Sequence, residues 1–394
     1  MKFESKKKAK ILILVDWYSP GYKAGGIITT MVNLVEGLQD VFSFFVITSD
    51  RDLDAECKYP GVETDQWLER GNIRIWYARP GSLSMARYRE LLGFVDPDLV
   101  LINGIFSFRF AVLPLLITKL SKHPIPAIIL PHGMLKASAL KFKAKKKLIY
   151  LKIARSLNIY SNAVFLSSSD HEADDVLKQF GSHTQNKTIS HFPSSSLAEP
   201  KSLPKTPGVV RFLFASRIHP MKNLHFLLEA LRGIRADVSL SIVGFVDDET
   251  YWRRCQSIIL ELAGEVRIDF LGDVPPMKLR ELIEANHFLT LPSKGENFGY
   301  AIFESLVQGR PVIISDQTPW RNLKRECAGI DVSLEDPSEM TNALKYAIEM
   351  SQETYDLWVK SSSEFARQFV LSANIKNGYI DFFNQIISKQ VVGG

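Results

Sequence analysis

The stretch Leu291–Ser315 reads LPSKGENFGYAIFESLVQGRPVIIS and predicts a strand, a loop, a helix and a second strand in direct succession. Leu291 ends one apolar run, and Val312–Ser315 forms the next. Gly299 is expected to open the intervening helix and Gly309 to follow its end, because glycine suits the left-handed backbone position there. Short apolar strands joined by a helix are typical of a parallel β–α–β unit.

The same alternation of apolar runs and helical patterns extends along the whole chain. In the first half the predicted strands are Ile11–Val15, Phe44–Thr48, Ile73–Tyr77, Leu99–Ile102, Ala127–Leu130 and Val164–Leu166, with helices such as Ile27–Leu38 and Phe108–Leu120 between them. In the second half they are Val209–Ala215, Leu240–Val243, Ile268–Leu271, Phe288–Leu291 and Val312–Ser315. This rhythm predicts doubly wound α/β sheets.

A segment dense in Pro, Ser and Lys, PSSSLAEPKSLPKTPG at 193–208, interrupts the rhythm and predicts a linker. We therefore expect an N-terminal domain over 1–192 and a C-terminal domain over 209–372. Helical patterns over Glu353–Phe369 and Ala373–Ser388 close the chain. The last segment, 373–394, is expected to pack back on the N-terminal domain.

Composition excludes several classes of protein. The 394 residues suit two domains, and the three cysteines have no metal-binding or disulfide spacing. The charged start MKFESKKKAK is unlike a secretory signal, and no apolar run approaches the ~20 residues of a membrane span. A cytoplasmic protein is expected. Residues 1–190 carry a net charge of +8, and the remainder −3, which suggests different partners for the two halves.

Glu296 and Glu304 stand seven residues apart, the first in the loop and the second in the early turns of the helix. Here the chain resembles retaining glycosyltransferases of family 4, which have the GT-B fold of two Rossmann-like doubly wound domains facing across a cleft. The resemblance implies that Glu296 holds the hydroxyls of the transferred sugar and Glu304 the nucleotide ribose. Asn297, Phe298, Gly299 and Tyr300 would line the donor site, since a helix N-terminus favours phosphate.

The segment Ala215–Asn223, ASRIHPMKN, matches the S-R-x4-K pattern of the same family. By resemblance, Arg217 and Lys222 neutralise the leaving diphosphate, a task that a metal ion performs in other glycosyltransferases. Ser216 and Gly244 complete the predicted donor site. Asp247-Asp248 falls where the family has a variable loop, so neither a metal nor a cofactor is expected, the nucleotide sugar being a substrate. Solvated surface charge is the alternative interpretation of the two cations.

The N-terminal domain carries looser matches. Gly25 and Gly26, in PGYKAGG at 20–26, resemble the family's glycine loop over the donor phosphates, although a plain strand–helix turn would also explain them. His132, in LPHGM at 130–134, matches a histidine that the family places near the donor sugar, and its alternative is a structural histidine. The resemblance implies that the N-terminal domain, 1–192, binds the acceptor and the C-terminal domain, 209–372, the nucleotide sugar, and Asn103 is assigned to the acceptor. Phe-Pro-Ser-Ser at 192–195 replaces the family's Asn-Gly pair, so no binding role is carried over there.

Residues 136–155, KASALKFKAKKKLIYLKIAR, interleave eight cations with apolar side chains. A basic amphipathic helix suits an anionic membrane surface, and a solvated helix face is the alternative. No nucleic-acid recognition motif accompanies the lysines.

By resemblance, the reaction moves a sugar, with retention, from a nucleoside diphosphate sugar to a saccharide or lipid-linked saccharide in cell-surface polysaccharide or lipopolysaccharide assembly. UDP is expected ahead of GDP. Front-face attack is expected, because no carboxylate is placed for a double displacement. Two alternatives stay open: a nucleotide-sugar 2-epimerase of the same fold, and a nucleotide-sugar-binding protein without turnover.

Overall fold

The computed structural model describes residues 8–119, 124–141, 144–161, 163–193, 199–372 and 374–391. These residues form two compact units. Unit 1 consists of the described residues up to Phe192 together with those from Asn374 onward, and unit 2 consists of those in between. Residues 194–198 of the predicted linker lie outside the described residues.

Unit 1 is built on an eight-stranded sheet. Its strands are β1 (Lys10–Val15), β2 (Ser43–Ser49), β3 (Trp67–Arg70), β4 (Ile73–Ala78), β5 (Leu99–Asn103), β6 (Ala127–Leu130), β7 (Ala163–Ser167) and β8 (Asn186–Thr188). Their order is β3-β4-β2-β1-β5-β6-β7-β8, with every pair parallel except β3 and β4. All six predicted strands of this half are present. The two edge strands β3 and β8 were not predicted, because they are short and mostly exposed.

Helices cover both faces of this sheet. They are α1 (Gly26–Leu38), α2 (Met85–Val95), α3 (Leu113–Lys119), α4 (Ala137–Lys141), α5 (Ala144–Ser156), α6 (Asp170–Phe180) and the C-terminal α13 (Ile375–Val391). The predicted helix Phe108–Leu120 is two elements: a π-helical turn at Phe108–Val112 runs into α3, and Leu120 lies outside the described residues. The helix α13 contacts α1 and β5, and its Phe383 packs on Phe42 in the turn between α1 and β2.

Unit 2 is built on a six-stranded, fully parallel sheet. Its strands are β9 (Val209–Ala215), β10 (Asp237–Val243), β11 (Arg267–Gly272), β12 (Phe288–Leu291), β13 (Val312–Ser315) and β14 (Gly329–Val332), in the order β11-β10-β9-β12-β13-β14. Its helices are α7 (Leu224–Ala230), α8 (Glu249–Glu261), α9 (Pro276–Ala285), α10 (Tyr300–Val307), α11 (Pro337–Glu349) and α12 (Gln352–Ser372). The predicted doubly wound α/β architecture is confirmed in both units.

Each sheet has one place where the chain order reverses. In unit 1 the chain leaves β1 towards β2 on one side and returns to β5 on the other. In unit 2 it leaves β9 towards β10 and returns to β12. Loops diverge at such a switch point, and the crevice between them is where open α/β sheets bind ligands. The loops after β1 and β5, and after β9 and β12, are therefore the places to look for a site.

Within the described ranges, no helix combines the length and apolar character needed to cross a bilayer.

Candidate functional sites at the two switch points

The loops after β9 and β12 in unit 2 are tied together through main-chain atoms. The backbone N–H of Lys294 donates to the carbonyl of Met221 at 2.8 Å, and the Ser293 hydroxyl donates to the same carbonyl at 3.1 Å. This contact brings together Lys222 and Glu296, which are far apart in sequence. The predicted donor-site residues of the two loops thus share one edge of the sheet.

Lys222 and Glu296 form an ion pair. The Lys222 Nζ donates to Glu296 Oε1 at 2.6 Å, and the two side chains are only 17% and 10% exposed. The resemblance gave these residues separate partners, the diphosphate and the sugar hydroxyls. The structure places each as the other's partner, so a ligand that binds here would have to compete with, or insert beside, a partly desolvated pair.

Arg217 pairs with a residue that the sequence did not single out. Its Nη1 donates to Asp247 Oδ2 at 2.7 Å, with the side chains 50% and 32% exposed. Asp247 was placed in a variable loop. The signal that could have found it is topological: it follows β10, the neighbour of β9, so the two strand ends lie side by side.

Gly244 allows the backbone after β10 to lie directly against the backbone after β9. A Cβ at Gly244 would lie 1.9 Å from the Ser216 carbonyl oxygen, and its φ of +140° disfavours other residues. On either side, Ser216 donates its N–H to Val243 and Ile218 to Phe245, both at 2.9 Å. Gly244 therefore shapes the site by letting two backbones touch.

The α10 N-terminus adjoins the same loops. Gly299 caps it in the left-handed conformation, with a φ of +80°. The Phe298 side chain is buried, and its carbonyl accepts a hydrogen bond from Trp320 Nε1 at 2.5 Å. The phenyl ring therefore anchors the loop, and Asn297 and Tyr300 flank it while staying partly exposed. The first N–H groups of a helix have no intrahelical acceptor, which suits an anion.

Glu304 lies one turn into α10. Burial raises the pKa of Glu304 to about 7, with the charge of Arg280 opposing the shift. Among the described residues its carboxylate has no hydrogen-bond or ion-pair partner. A carboxylate that is costly to ionise and lacks a partner is able to accept hydrogen bonds from a ligand's hydroxyls.

In unit 1, the glycine loop after β1 is held by an aspartate. Asp52 Oδ2 accepts from the N–H groups of Tyr22 and Lys23, at 2.8 and 3.2 Å. Gly25 precedes α1 with φ +59° and ψ −127°, a combination that strongly favours glycine, and Gly26 starts the helix. Open space surrounds the position where a Cβ of Gly25 would lie.

His132 lies in a cluster of neutral side chains. Its Nε2 is hydrogen-bonded to Asn103 Oδ1, and its ring stacks on His191 with centroids 5.4 Å apart. Burial lowers the pKa of His132 to about 4 and, with help from His132, that of His191 to about 3. Both rings are thus neutral at pH 7. Nearby, Glu172 accepts from the Gly133 N–H and from the Ser168 N–H at 2.7 Å.

Asn103 is 2% exposed, and its Nδ2 has no hydrogen-bond partner within the described residues. Its predicted assignment to the acceptor stays a prediction. A different group of residues lines an open cavity at this switch point: Asp16 and Trp17 after β1, Ser49 at the end of β2, and Ser107, Phe108, Arg109 and Phe110 after β5. None of these was singled out from the sequence, because no family motif covers them.

The described residues show no cluster of side chains suited to a metal ion. In the described parts of the chain, no three His, Cys, Asp or Glu side chains converge on a common point. The expectation that neither a metal nor a cofactor takes part stays a prediction.

Unit 2 and much of the chain resemble known glycosyltransferases in sequence. The sequence profile of the family Glycosyl transferases group 1 matches residues 210–350, which lie within unit 2. The D-rhamnosyltransferase WbpZ of Pseudomonas aeruginosa is 24% identical over 313 residues, 77% of each chain. A phosphatidyl-myo-inositol mannosyltransferase of Mycobacterium leprae is 29% identical over 133 residues, 32% of this chain and 34% of that protein.

Solved structures show the same fold. HepE of Anabaena, determined in complex with UDP and glucose, matches with a TM-score of 0.67 and 18% identity, over 94% of this chain and 99% of its own. Sucrose-phosphate synthase of Thermosynechococcus elongatus matches with a TM-score of 0.72 and 17% identity, over 97% of this chain and 100% of its own. The predicted GT-B fold class is confirmed. Together with the family match, this supports a glycosyltransferase with a nucleotide-sugar donor.

Proposed function

We propose that this protein is a retaining, metal-independent glycosyltransferase that transfers a sugar from a nucleoside diphosphate sugar, UDP ahead of GDP, to a saccharide or lipid-linked saccharide. The observation that carries the proposal is the Lys222–Glu296 pair beside the α10 N-terminus. It joins a cation and a sugar-binding carboxylate at the switch point of the unit that matches the glycosyltransferase profile.

The choice of UDP and of a surface polysaccharide rests on relatives. HepE was solved with UDP and with UDP-glucose. WbpZ is a rhamnosyltransferase, and a lipopolysaccharide outer core galactosyltransferase, WaaB, shares the fold at 18% identity and a TM-score of 0.57. These names favour assembly of lipopolysaccharide or a similar glycan.

In the proposed reaction, the donor inserts its diphosphate beside Lys222, Arg217 and the α10 N-terminus. Glu296 then exchanges Lys222 for hydroxyls of the transferred sugar, and Glu304 accepts from the ribose. The bond between the anomeric carbon and the phosphate oxygen breaks while the acceptor oxygen bonds to the same face of that carbon. The acceptor's proton passes to the leaving phosphate oxygen, and the cations stabilise the charge that develops there.

The donor site is tested by thermal unfolding of the full chain with UDP, GDP, ADP or CMP. A ligand at 100 times its Kd adds about 2.7 kcal/mol to the free energy of unfolding, which gives a readable rise in Tm. We expect the largest rise with UDP, and its loss in Lys222→Ala. The matched control is Lys278→Ala, which removes an exposed lysine paired with Glu281. No rise with any nucleotide would contradict a donor site in unit 2.

Catalysis is tested by UDP release from UDP-glucose in the presence of a bacterial lipid extract. Removing one group that stabilises developing charge typically costs 100-fold or more, on the order of 3 kcal/mol. We expect such losses in Lys222→Ala and Glu296→Ala with Tm values that show folded protein. Near-normal transfer in both variants would overturn the assignment. Free epimerised sugar formed without acceptor would instead identify a 2-epimerase.

We further propose that this enzyme contacts an anionic membrane through α5. Leu148, Ile149, Ile153 and, just beyond the helix, Leu157 are 48–63% exposed. Exposed lysines 145, 146 and 152 accompany them. Lys147 differs, because its Nζ donates to Ala139 O at 2.7 Å and lies over the Phe106 ring. Phe142 and Lys143 of the predicted basic stretch lie outside the described residues.

Sedimentation with vesicles tests the membrane contact. Each lysine near an anionic surface contributes about 1 kcal/mol, so replacing Lys145, Lys146 and Lys152 by Ala should weaken binding about 100-fold. We expect binding to vesicles that contain phosphatidylglycerol and little to pure phosphatidylcholine. Ile149→Ser should weaken binding as well, whereas Leu260→Ser, on the exposed surface of unit 2, should not. Equal sedimentation of all variants would reject the contact.

A further inference from the structure

The cavity at the unit 1 switch point has the size of a ligand site. Its volume is about 340 Å³, within the usual range for small-molecule pockets. Asp16 and Trp17 enter it from the end of β1, and Ser107, Phe108 and Arg109 from the segment after β5. The cavity thus occupies, in unit 1, the place where the Lys222–Glu296 pair lies in unit 2.

The residues around this cavity are held in place by hydrogen bonds. The Ser107 hydroxyl donates to Asp16 Oδ1 at 2.7 Å and accepts from the Phe110 N–H at 3.3 Å. The Tyr88 hydroxyl donates to the Arg109 carbonyl at 2.7 Å, which fixes the backbone from which the guanidinium extends. The chain leaves β5 through a π-helical turn, a conformation that is rare and frequent at functional sites.

The polar groups of the cavity keep free bonding capacity. Among the described residues, Asp16 Oδ2 has no hydrogen-bond partner in another residue, and the Arg109 guanidinium has neither an ion-pair nor a hydrogen-bond partner. Burial raises the pKa of Asp16, with the Ser107 hydroxyl opposing the shift. A carboxylate that is desolvated in this way strengthens whatever hydrogen bond it accepts.

Aromatic surface completes the cavity. Phe108 is 64% exposed although it lies beside buried neighbours, and Trp17 is partly exposed. An exposed large apolar side chain on the wall of a polar cavity indicates a ligand with an apolar face. A pyranose ring has this combination: C–H groups on its faces and hydroxyls around its edge.

We propose that this cavity is the acceptor site of unit 1 and that it binds a saccharide carrying a phosphate or a carboxylate. Asp16 accepts a hydrogen bond from a sugar hydroxyl, Phe108 and Trp17 pack on the ring, and Arg109 pairs with the anionic group. This inference rests on the proposed function for its name, acceptor site. The saccharide binding itself can be tested independently of unit 2.

The test measures binding of three probes to the full chain by saturation-transfer NMR titration: glucose 1-phosphate, glucuronic acid and glucose. The variants are Asp16→Asn, Arg109→Ala and Phe108→Ala. The matched control is Arg89→Ala, which removes another exposed arginine of unit 1. Lys222→Ala and added UDP reveal any probe that binds in unit 2 instead.

We expect the wild type to bind an anionic probe in preference to glucose, and a preference for glucose 1-phosphate or for glucuronic acid identifies the anionic group. Arg109→Ala should lower the affinity for the preferred probe at least tenfold while changing the affinity for glucose less than twofold, since charge-assisted contacts contribute about 1.5–3 kcal/mol. Asp16→Asn should lower the affinity for every probe that binds, and Phe108→Ala should lower it to a smaller extent. Arg89→Ala should leave the affinity for each probe unchanged.

Three outcomes would overturn the inference: wild-type probe affinity in both Asp16→Asn and Arg109→Ala, binding of every probe abolished by UDP or in Lys222→Ala, or no binding of any probe at millimolar concentration. Failure here is distinct from failure of the proposed function. Loss of UDP stabilisation with intact, Asp16-dependent saccharide binding would reject the glycosyltransferase and keep the saccharide site.

Discussion

The two switch points share a topology and differ in chemistry. In unit 2 the loops after β9 and β12 meet through charged pairs, Lys222 with Glu296 and Arg217 with Asp247. In unit 1 the loops after β1 and β5 meet through a hydroxyl, Ser107, bonded to a carboxylate, Asp16. Arg109 has no ion-pair partner in the part of the chain that the structure describes. The sheet therefore decides where a site forms, and the loop side chains decide which ligand it suits.

The charged loops of unit 2 are already neutralised by each other. In the proposed reaction, a diphosphate that enters would take Lys222 and Arg217 from their carboxylates, and those carboxylates would then be free to accept from hydroxyl groups. A site that exchanges internal pairs for ligand pairs avoids leaving buried charge uncompensated when it is empty. In unit 1, by contrast, free bonding capacity is exposed in an open cavity.

The largest expected effect compares a glycine from each unit. Gly244→Ala should lower the free energy of unfolding by more than about 4 kcal/mol, because an overlap with the Ser216 backbone adds to strained φ. Gly25→Ala meets no neighbour and should cost about 1–3 kcal/mol from backbone strain alone. Urea unfolding followed by peptide-resolved hydrogen exchange assigns each loss to its unit.

Gly264→Ala is the control for this comparison, because Gly264 also has a positive φ, +94°, and open space around it. It should resemble Gly25→Ala. A Gly244 variant no less stable than the other two would show that the strand ends of unit 2 can separate without cost.

The second effect compares the two ion pairs of unit 2. A double-mutant cycle over Lys222→Ala and Glu296→Ala should give a coupling free energy of about 1–3 kcal/mol, because the pair is shielded from solvent. The cycle over Arg217→Ala and Asp247→Ala should give less than about 1 kcal/mol, because that pair is half exposed. Equal couplings in urea unfolding would mean that burial does not set the strength of these pairs.

Unit 2 was the more predictable half because its motifs fix backbone geometry. The predicted strands Phe288–Leu291 and Val312–Ser315 match β12 and β13 to the residue. The helix α10 begins at Tyr300, one residue after the predicted Gly299, which is its N-cap. The spacing of Glu296 and Glu304 identifies two carboxylates of a known motif, but it does not predict the hydrogen-bond or ion-pair partner of either side chain. The pairing of Glu296 with Lys222 depends on the hydrogen bonds of Met221, a contact between segments distant in sequence.

Unit 1 shows what periodicity leaves out. Its buried strands were predicted because apolar runs identify them, whereas β3 and β8 are edge strands with little apolar content. Phe108–Val112 had a helical pattern, and in the structure it forms a π-helical turn after Ser107, whose hydroxyl donates to Asp16. Asp16 looked like an ordinary residue after a strand, since only the fold brings it to Ser107.

The smallest expected effect is a pH dependence of the affinity for UDP-glucose, which we assign to unit 2. The pKa of Glu304 is about 7, so its ionised fraction rises from about one tenth at pH 6 to about nine tenths at pH 8. If Glu304 accepts from the ribose, the ionised form binds better, and the affinity for UDP-glucose should increase about tenfold over this range. Calorimetric titration with UDP-glucose is the measurement, because the terminal phosphate of UDP itself titrates near pH 6.

The buried histidine pair of unit 1, His132 and His191, should contribute nothing to this pH dependence. The pKa values of His132 and His191 lie near 4 and 3, so neither ring changes charge between pH 6 and 8. In unit 2, burial likewise lowers the pKa values of His225 and His287 to about 4, and it also lowers the pKa of His219 in the loop after β9, whereas the pKa of Glu304 lies in the middle of the window. Glu304→Gln should therefore bind UDP-glucose with equal affinity at both pH values, whereas Glu335→Gln, at an exposed position before α11, should keep the wild-type pH dependence. A wild-type affinity that is flat or falls as pH rises would remove Glu304 from the ribose site.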